Sequence, residues 1–228
     1  MGEYLYLNQE DKFIISKLNS INVKSREFEL IMNVYNQALE QVFEQLEIIK
    51  NSLLEMYGEE IINNIRKRIK SPISIINKMK KKNYEINYKN LIENIKDIAG
   101  IRIVCLIKDN IYFLAEIINK LPNINIVEIK DYIKKPKKSG YSGYHMIVET
   151  PMEIEGKKVP IKVEIQIRTM AMDFWASNEH KLKYKNKKKI SFIDSKKLQI
   201  YAKFLNRLDN KINKLYKKQE VVLKEKYY

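Results

Sequence analysis

The chain has 228 residues, 45% of them hydrophobic and 31% charged, which suits a globular protein with one good core and a helical appendage. It holds no apolar run of about 18 residues, so a transmembrane helix is excluded; a single cysteine, Cys105, excludes a disulfide framework, and 2 histidines leave little material for a zinc site. The net charge of +15 fits a polyanionic partner such as nucleotide phosphates, RNA or a membrane surface, and fits equally the solvated lysine that a biased base composition produces.

Residues 1–22 show no firm pattern, and the opening MGEYLYLNQEDKF lacks the basic-then-apolar order of a signal peptide, so a cytoplasmic protein is expected. From Ser25 a long helix is predicted. Phe28, Ile31, Tyr35, Ala38, Val42, Leu46, Ile49 and Leu53 recur at spacings of three and four, Ser25 can cap its start and Gly58 follows its end. A second helix is predicted over 59–68, and Pro72 opens a third as its first-turn residue. The run IRIVCLI (101–107) reads as a buried strand. A helix over 110–121 closed by Pro122, a strand over 124–130, a strand through HMIVET (145–150) and a hairpin turn at EGKK (155–158) follow. In PIKVEIQIR (160–168), Ile161, Val163, Ile165 and Ile167 face one way and Lys162, Glu164, Gln166 and Arg168 the other. Thr169 can cap a helix over about 170–184, and after the lysine run KNKKK (185–189) a last helix covers roughly 194–224. The predicted class is α+β or α/β, a sheet core with helical flanks.

Four stretches can carry chemistry. The polar face of VEIQIR is either a solvated edge or the floor of a cleft. Asp97, just before the buried strand, is either a local cap or one of two carboxylates that converge with Glu164 on Mg²⁺, which prefers hard oxygens and shares its shell with substrate phosphates. Gly100 lets the backbone turn or approach closely there. In RIKSPISIINKMKKK (68–82), Arg68, Lys70, Ser74 and Lys78 either decorate a basic surface helix or converge on phosphate at the helix start. In DYIKKPKKSGYSGYH (131–145), the lysines suit phosphate and Tyr141 suits a base, between 2 of the chain's 6 glycines. His145 is a strand residue or a phosphate donor. Arginine is scarce beside lysine, so Arg26, Arg66, Arg68, Arg102, Arg168 and Arg207 mark places where a planar guanidinium is wanted.

Taken together, DIAGIRIV, DYI-x-x-PK-x-x-GY-x-x-YH and VEIQIRT resemble the synthetase domain of RelA/SpoT-type alarmone synthetases, and the chain looks like a small, single-domain member. The resemblance is strong over about 60–185. It implies a mixed β-sheet core related to nucleotidyltransferases, a helix at 24–58, a catalytic core at 59–185 and a helical segment at 190–226, with no hydrolase domain. The implied reaction moves the β,γ-pyrophosphate of ATP to the ribose 3′-hydroxyl of GDP or GTP, giving AMP and ppGpp or pppGpp.

By motif position, Asp97 and Glu164 would hold Mg²⁺, with Glu164 activating the 3′-hydroxyl. Arg68 and Arg102 would sandwich adenine, while Lys70, Ser74 and Lys78 would meet the ATP phosphates. Tyr141, Lys137, His145, Gln166 and Asp173 would bind the GDP or GTP acceptor. The resemblance also implies a homo-oligomer, expected to be a homotetramer, regulated by RNA or an alarmone and independent of membranes. Two positions depart from the family pattern. The loop reads GYSG where much of the family has GYRS, losing a cation that Lys138 or Lys134 would have to replace. Asp173 stands where close small relatives often carry Asn. The competing readings are a toxin-type relative acting on the tRNA 3′ end or making an adenosine alarmone, and a non-catalytic RNA-binding regulator.

Overall fold

The computed structural model describes residues 21–154, 156–185 and 191–227. Helix α1, Arg26–Tyr57, starts at Ser25, whose hydroxyl accepts from the Phe28 amide, and stops at Gly58 in the left-handed region (φ 67°). It buries the predicted stripe, from Phe28 and Tyr35 through Val42 and Leu46 to Leu53. The chain then runs through β1 (Ile62–Ile69), α2 (Pro72–Lys81), α3 (Tyr88–Asn94), β2 (Ala99–Cys105) and α4 (Lys108–Asn119). Strands β3 (Asn125–Asp131), β4 (Tyr144–Ile154) and β5 (Lys157–Thr169) follow, then α5 (Met170–Lys185) and α6 (Phe192–Tyr227).

The strand over 62–69 corrects the helix expected at 59–68. Ile62, Ile65 and Ile69 are spaced by three and four, which imitates a helical stripe. A register shift between Ile62 and Asn64 produces that spacing, because an extra residue returns Ile62 to the side of Ile65. The short helix α3 escaped the sequence reading; its cap is Asn87, which accepts from the Asn90 amide.

The five strands form one sheet in the order β1-β2-β5-β4-β3. Strands β2 and β5 run parallel and the other neighbours antiparallel, which makes the sheet mixed, as expected. Its apolar face carries Ile101, Ile103, Ile161, Val163, Ile165 and Ile167, all at most 4% exposed, and packs in one core with the buried stripes of α1 and α4. The other face is left to polar side chains. A smaller cluster of Tyr141, Trp175, Ala176 and Ala202 joins the β3–β4 loop to α5 and α6. Gly140 makes that junction possible. Its φ is +91°, and a Cβ there would lie 2.5 Å from the Ala202 Cβ.

Candidate active site

Register across the polar face aligns the charged side chains in two rows. Arg66, Arg102, Gln166, His145 and Lys130 stand opposite one another from β1 to β3. One step along lie Arg68, Gly100, Glu164, Ile147 and Glu128. Of the two roles expected for Gly100, a turn or a close approach, the strand rules out the turn. The glycine sits mid-strand between Arg68 and Glu164, where a missing side chain keeps the floor open. Above that floor is a cavity of about 190 Å³ lined by Arg66, Arg68, Asp97, Arg102, Glu164 and Gln166, among others.

On the β1 side, Asp97 gathers the predicted cations. Lys70 Nζ donates to its Oδ2 at 2.7 Å, and Lys78 Nζ lies 2.8 Å from Oδ1. Burial alone would push this carboxyl up; the two ammonium groups outweigh it and hold it below the ordinary value of 3.8. Ser74 is paired at 2.8 Å with the hydroxyl of Ser71, the cap of α2. Arg68 and Arg102 are diagonal neighbours on antiparallel strands, a spacing of roughly 7–8 Å. Two planes in van der Waals contact with a base between them need about that separation.

On the β4 side the polar groups close on one another. Arg168 Nη2 donates to the Tyr141 hydroxyl at 2.9 Å and to Gln166 Oε1 at 2.7 Å. Gln166 Nε2 donates to Glu164 Oε2 at 2.8 Å. The Tyr141 hydroxyl meets His145 Nε2 at 2.5 Å, and His145 Nδ1 meets Glu164 Oε1 at 3.2 Å. Asp173, on the first turn of α5, receives Arg168 Nη1 at 2.9 Å and faces Arg102 Nη1 at 3.3 Å. Burial pushes the Glu164 carboxyl up and nearby Asp97 adds to that, yet contacts with His145 and Gln166 prevail and its pKa is lowered.

A conserved-domain description, the region found in RelA/SpoT proteins, matches residues 67–189. The chain belongs to the RelA/SpoT family. GTP pyrophosphokinase YwaC of Bacillus subtilis is 38% identical over 78% of this chain and 85% of its own length. GTP pyrophosphokinase YjbM of the same organism is 32% identical over 83% and 89%. The crystal structure of small alarmone synthetase 1 from Bacillus subtilis bound to its product pppGpp superposes with a TM-score of 0.78 at 32% identity, covering 85% of this chain and 98% of that one.

This RelA/SpoT chain brings Arg68, Lys70, Lys78, Asp97, Arg102, Glu164 and Gln166 to one cleft, with Ser74 at its α2 edge. His145 and Asp173 adjoin it. Lys137 lies 4.7 Å from the Tyr141 ring centre. Tyr141 itself is only 8% exposed, with edge contacts to Tyr132, His145 and Trp175, so a base stacks on it only after a neighbour moves aside. Of the two loop lysines named for the missing cation, Lys134 lies 3.7 Å from Asp131 and Lys138 is exposed. The guanidinium at the ring is Arg168, 5.1 Å from its centre.

The sequence reading flagged Arg66 and Arg168 as scarce arginines but assigned no ligand to them, and it did not single out Lys130. A strand reading of 62–69 would have put Arg66 beside Arg68, two residues away on the same face. Lys130 needed the β3–β4 register, which places it opposite His145. The lysine run at 185–189 falls almost wholly outside the described residues.

Proposed function

We propose that the chain synthesises (p)ppGpp, moving the β,γ-pyrophosphate of ATP to the 3′-hydroxyl of GDP or GTP. The observation that carries this reading is a cleft in which two carboxylates, Asp97 and Glu164, stand between a cation-lined cavity and a second polar cluster. Arg68 and Arg102 suit the faces of adenine, and Lys70, Ser74 and Lys78 suit the triphosphate. Tyr141, Lys137, His145, Gln166 and Asp173 suit the acceptor, with Lys130 beside His145 as a further cation.

The acceptor 3′-oxygen attacks the β-phosphorus, the bond from that phosphorus to the α–β bridging oxygen breaks, and AMP leaves. The hydroxyl proton passes to Glu164, which the lowered pKa keeps ionised at neutral pH. Two polyanions must meet for this to happen. The basic cleft offsets their repulsion, and alignment supplies much of the rate.

Among the described residues, no group of three or more His, Cys, Asp or Glu gathers to hold a metal. Two ionised carboxylates do fit Mg²⁺, which takes one or two carboxylates and completes its shell with substrate phosphates and water. Asp97 and Glu164 would hold it, and when bound it would neutralise charge on the phosphates.

The same reading includes assembly. Ile200, Phe204 and Leu215 on α6 and Ile48 on α1 are 60–66% exposed, and such patches suit contact with further copies, expected as a tetramer. Light scattering showing a monomer at micromolar concentration would remove this part.

The pure protein should be mixed with ATP, Mg²⁺ and GDP or GTP, and the nucleotides separated by anion exchange. AMP appearing with a more highly charged guanosine product, reduced about 10²–10⁴-fold in Glu164→Gln, is the expected result. AMP formation that requires tRNA would turn the reading to the tRNA 3′ end. The protein's 2 histidines, His145 and His180, make no adjacent His-Asp pair, so breakdown of ppGpp with Mn²⁺ is not expected.

A further inference from the structure

The contacts on the acceptor side form a closed circuit: Arg168, Tyr141, His145, Glu164, Gln166 and back to Arg168. The two charged ends settle the direction of the rest. A guanidinium only donates and an ionised carboxylate only accepts, so the Tyr141 hydroxyl accepts from Arg168 and its own proton points to His145 Nε2. His145 then carries its proton on Nδ1 and donates to Glu164. Along the other arm Arg168 holds the carbonyl oxygen of Gln166, which turns the Gln166 amide nitrogen to Glu164. Both arms end as donors on Glu164. The other terminal nitrogen of the Arg168 fork, Nη1, holds Asp173 Oδ1, which leaves Oδ2 to accept from a ligand.

Arg168 is 5% exposed, so in this arrangement its role is carried through neighbours. Gly143 provides its room: a Cβ there would come within 3.4 Å of Arg168 Cγ and 3.2 Å of the Tyr141 hydroxyl.

We propose that Arg168 is the positioning residue of the acceptor subsite, fixing the tautomer of His145 and the aim of Gln166 and Asp173, and thereby the preference for guanine. A carboxylate oxygen free to accept matches the N1–H and 2-amino donors of guanine, and hypoxanthine lacks the second. The identity of the acceptor rests on the proposed function; the His145 tautomer does not.

The test has two arms. In unliganded protein, ¹⁵N NMR of the imidazoles, with His180→Gln to separate the two, should show His145 unprotonated at Nε2 and protonated at Nδ1. In Arg168→Lys, which keeps the charge and loses the fork, that preference should weaken. With ATP as donor, the same variant should raise the acceptor KM about tenfold or more and leave the ATP KM within about twofold. Its GDP-over-IDP ratio of kcat/KM should fall about tenfold. If Arg168→Lys does not fold, Tyr141→Phe cuts the circuit at the next link and should shift His145 in the same sense. An Nε2-protonated His145 in the wild type would overturn the proposal. So would a variant whose kcat falls while its acceptor KM, base preference and imidazole signals stay put. Wild-type protein that shows the Nδ1–H tautomer but uses neither GDP nor GTP would overturn the proposed function and leave Arg168 as the organiser of the circuit.

Discussion

On the β1–β2 side of the cleft the cationic groups face an open cavity of about 190 Å³; on the β4–α5 side the polar groups face one another. The first side places Arg66, Arg68 and Arg102 close together with few carboxylates among them. Burial lowers the Arg102 pKa first, and repulsion from Arg168 and Arg68 lowers it further. Such a site is held short of its own optimum and waits for an anion. The second side has paired most of its polar groups with one another, so a ligand there must exchange several bonds as well as fill space. Loss of a residue should therefore have different consequences on the two sides. On the first it weakens binding and spares the fold; on the second it harms both.

The largest break in this comparison should come from Asp97→Asn, because Asp97 is the one anion about which Lys70 and Lys78 gather. An expected fall of about 10²–10³-fold in kcat/KM follows from losing a metal-ready oxygen beside the phosphates, read by the same AMP assay. The change also has a pH consequence. The folded carboxyl sits below its ordinary value of 3.8, so the ion-paired cluster contributes stability above about pH 4 that is lost as the pH falls through the lowered value. Acid melting of the wild type should show this loss, and Asp97→Asn should show less of it.

How much of this was legible beforehand differs between the two sides. The alternation of β5 and the capped stripe of α1 are local patterns, and both formed as read. The cations at 68–78 and the carboxylate at 97 converge because β1 and β2 are neighbours, which the motifs implied and periodicity did not. The acceptor side was less legible. Tyr141 stands between two glycines and looks like an exposed platform, but Trp175 and Ala202, brought in by α5 and α6, bury it. Arg168 reads as one more polar residue on an alternating strand, and nothing local reveals that three partners, Tyr141, Gln166 and Asp173, meet its guanidinium.

Gly140→Ala should sharpen the contrast through stability. A side chain there meets the Ala202 Cβ at 2.5 Å and sits on a backbone with φ +91°. Strain of this kind costs about 1–3 kcal/mol, and α6 must shift to relieve the contact. Thermal unfolding should register the loss, and the acceptor KM should rise while the ATP KM holds. Arg68→Ala should do the reverse. Removing one of several neighbouring cations should leave the melting temperature level or slightly higher, with an ATP KM about tenfold worse.

The smallest effect is the most instructive about the strand that sequence periodicity misread. Lys67 lies between Arg66 and Arg68, and its ammonium pairs with Glu40 of α1 and lies 4.3 Å from the Phe43 ring centre. Both partners of the ion pair are more than a third exposed, at 37% and 40%, so the pair contributes about 0.2–1 kcal/mol. Lys67→Ala should cost that much in stability and leave the ATP KM within about twofold, whereas Arg66→Ala and Arg68→Ala on either side should each weaken ATP. Alternation over three consecutive residues is what a strand requires. A helix over 59–68 would turn each successive residue by about 100°, and the two arginines would then point in directions too far apart to serve one cavity. Equal effects at all three positions would count against the strand, and with it the diagonal placement of Arg68 and Arg102 on which the proposed adenine clamp depends.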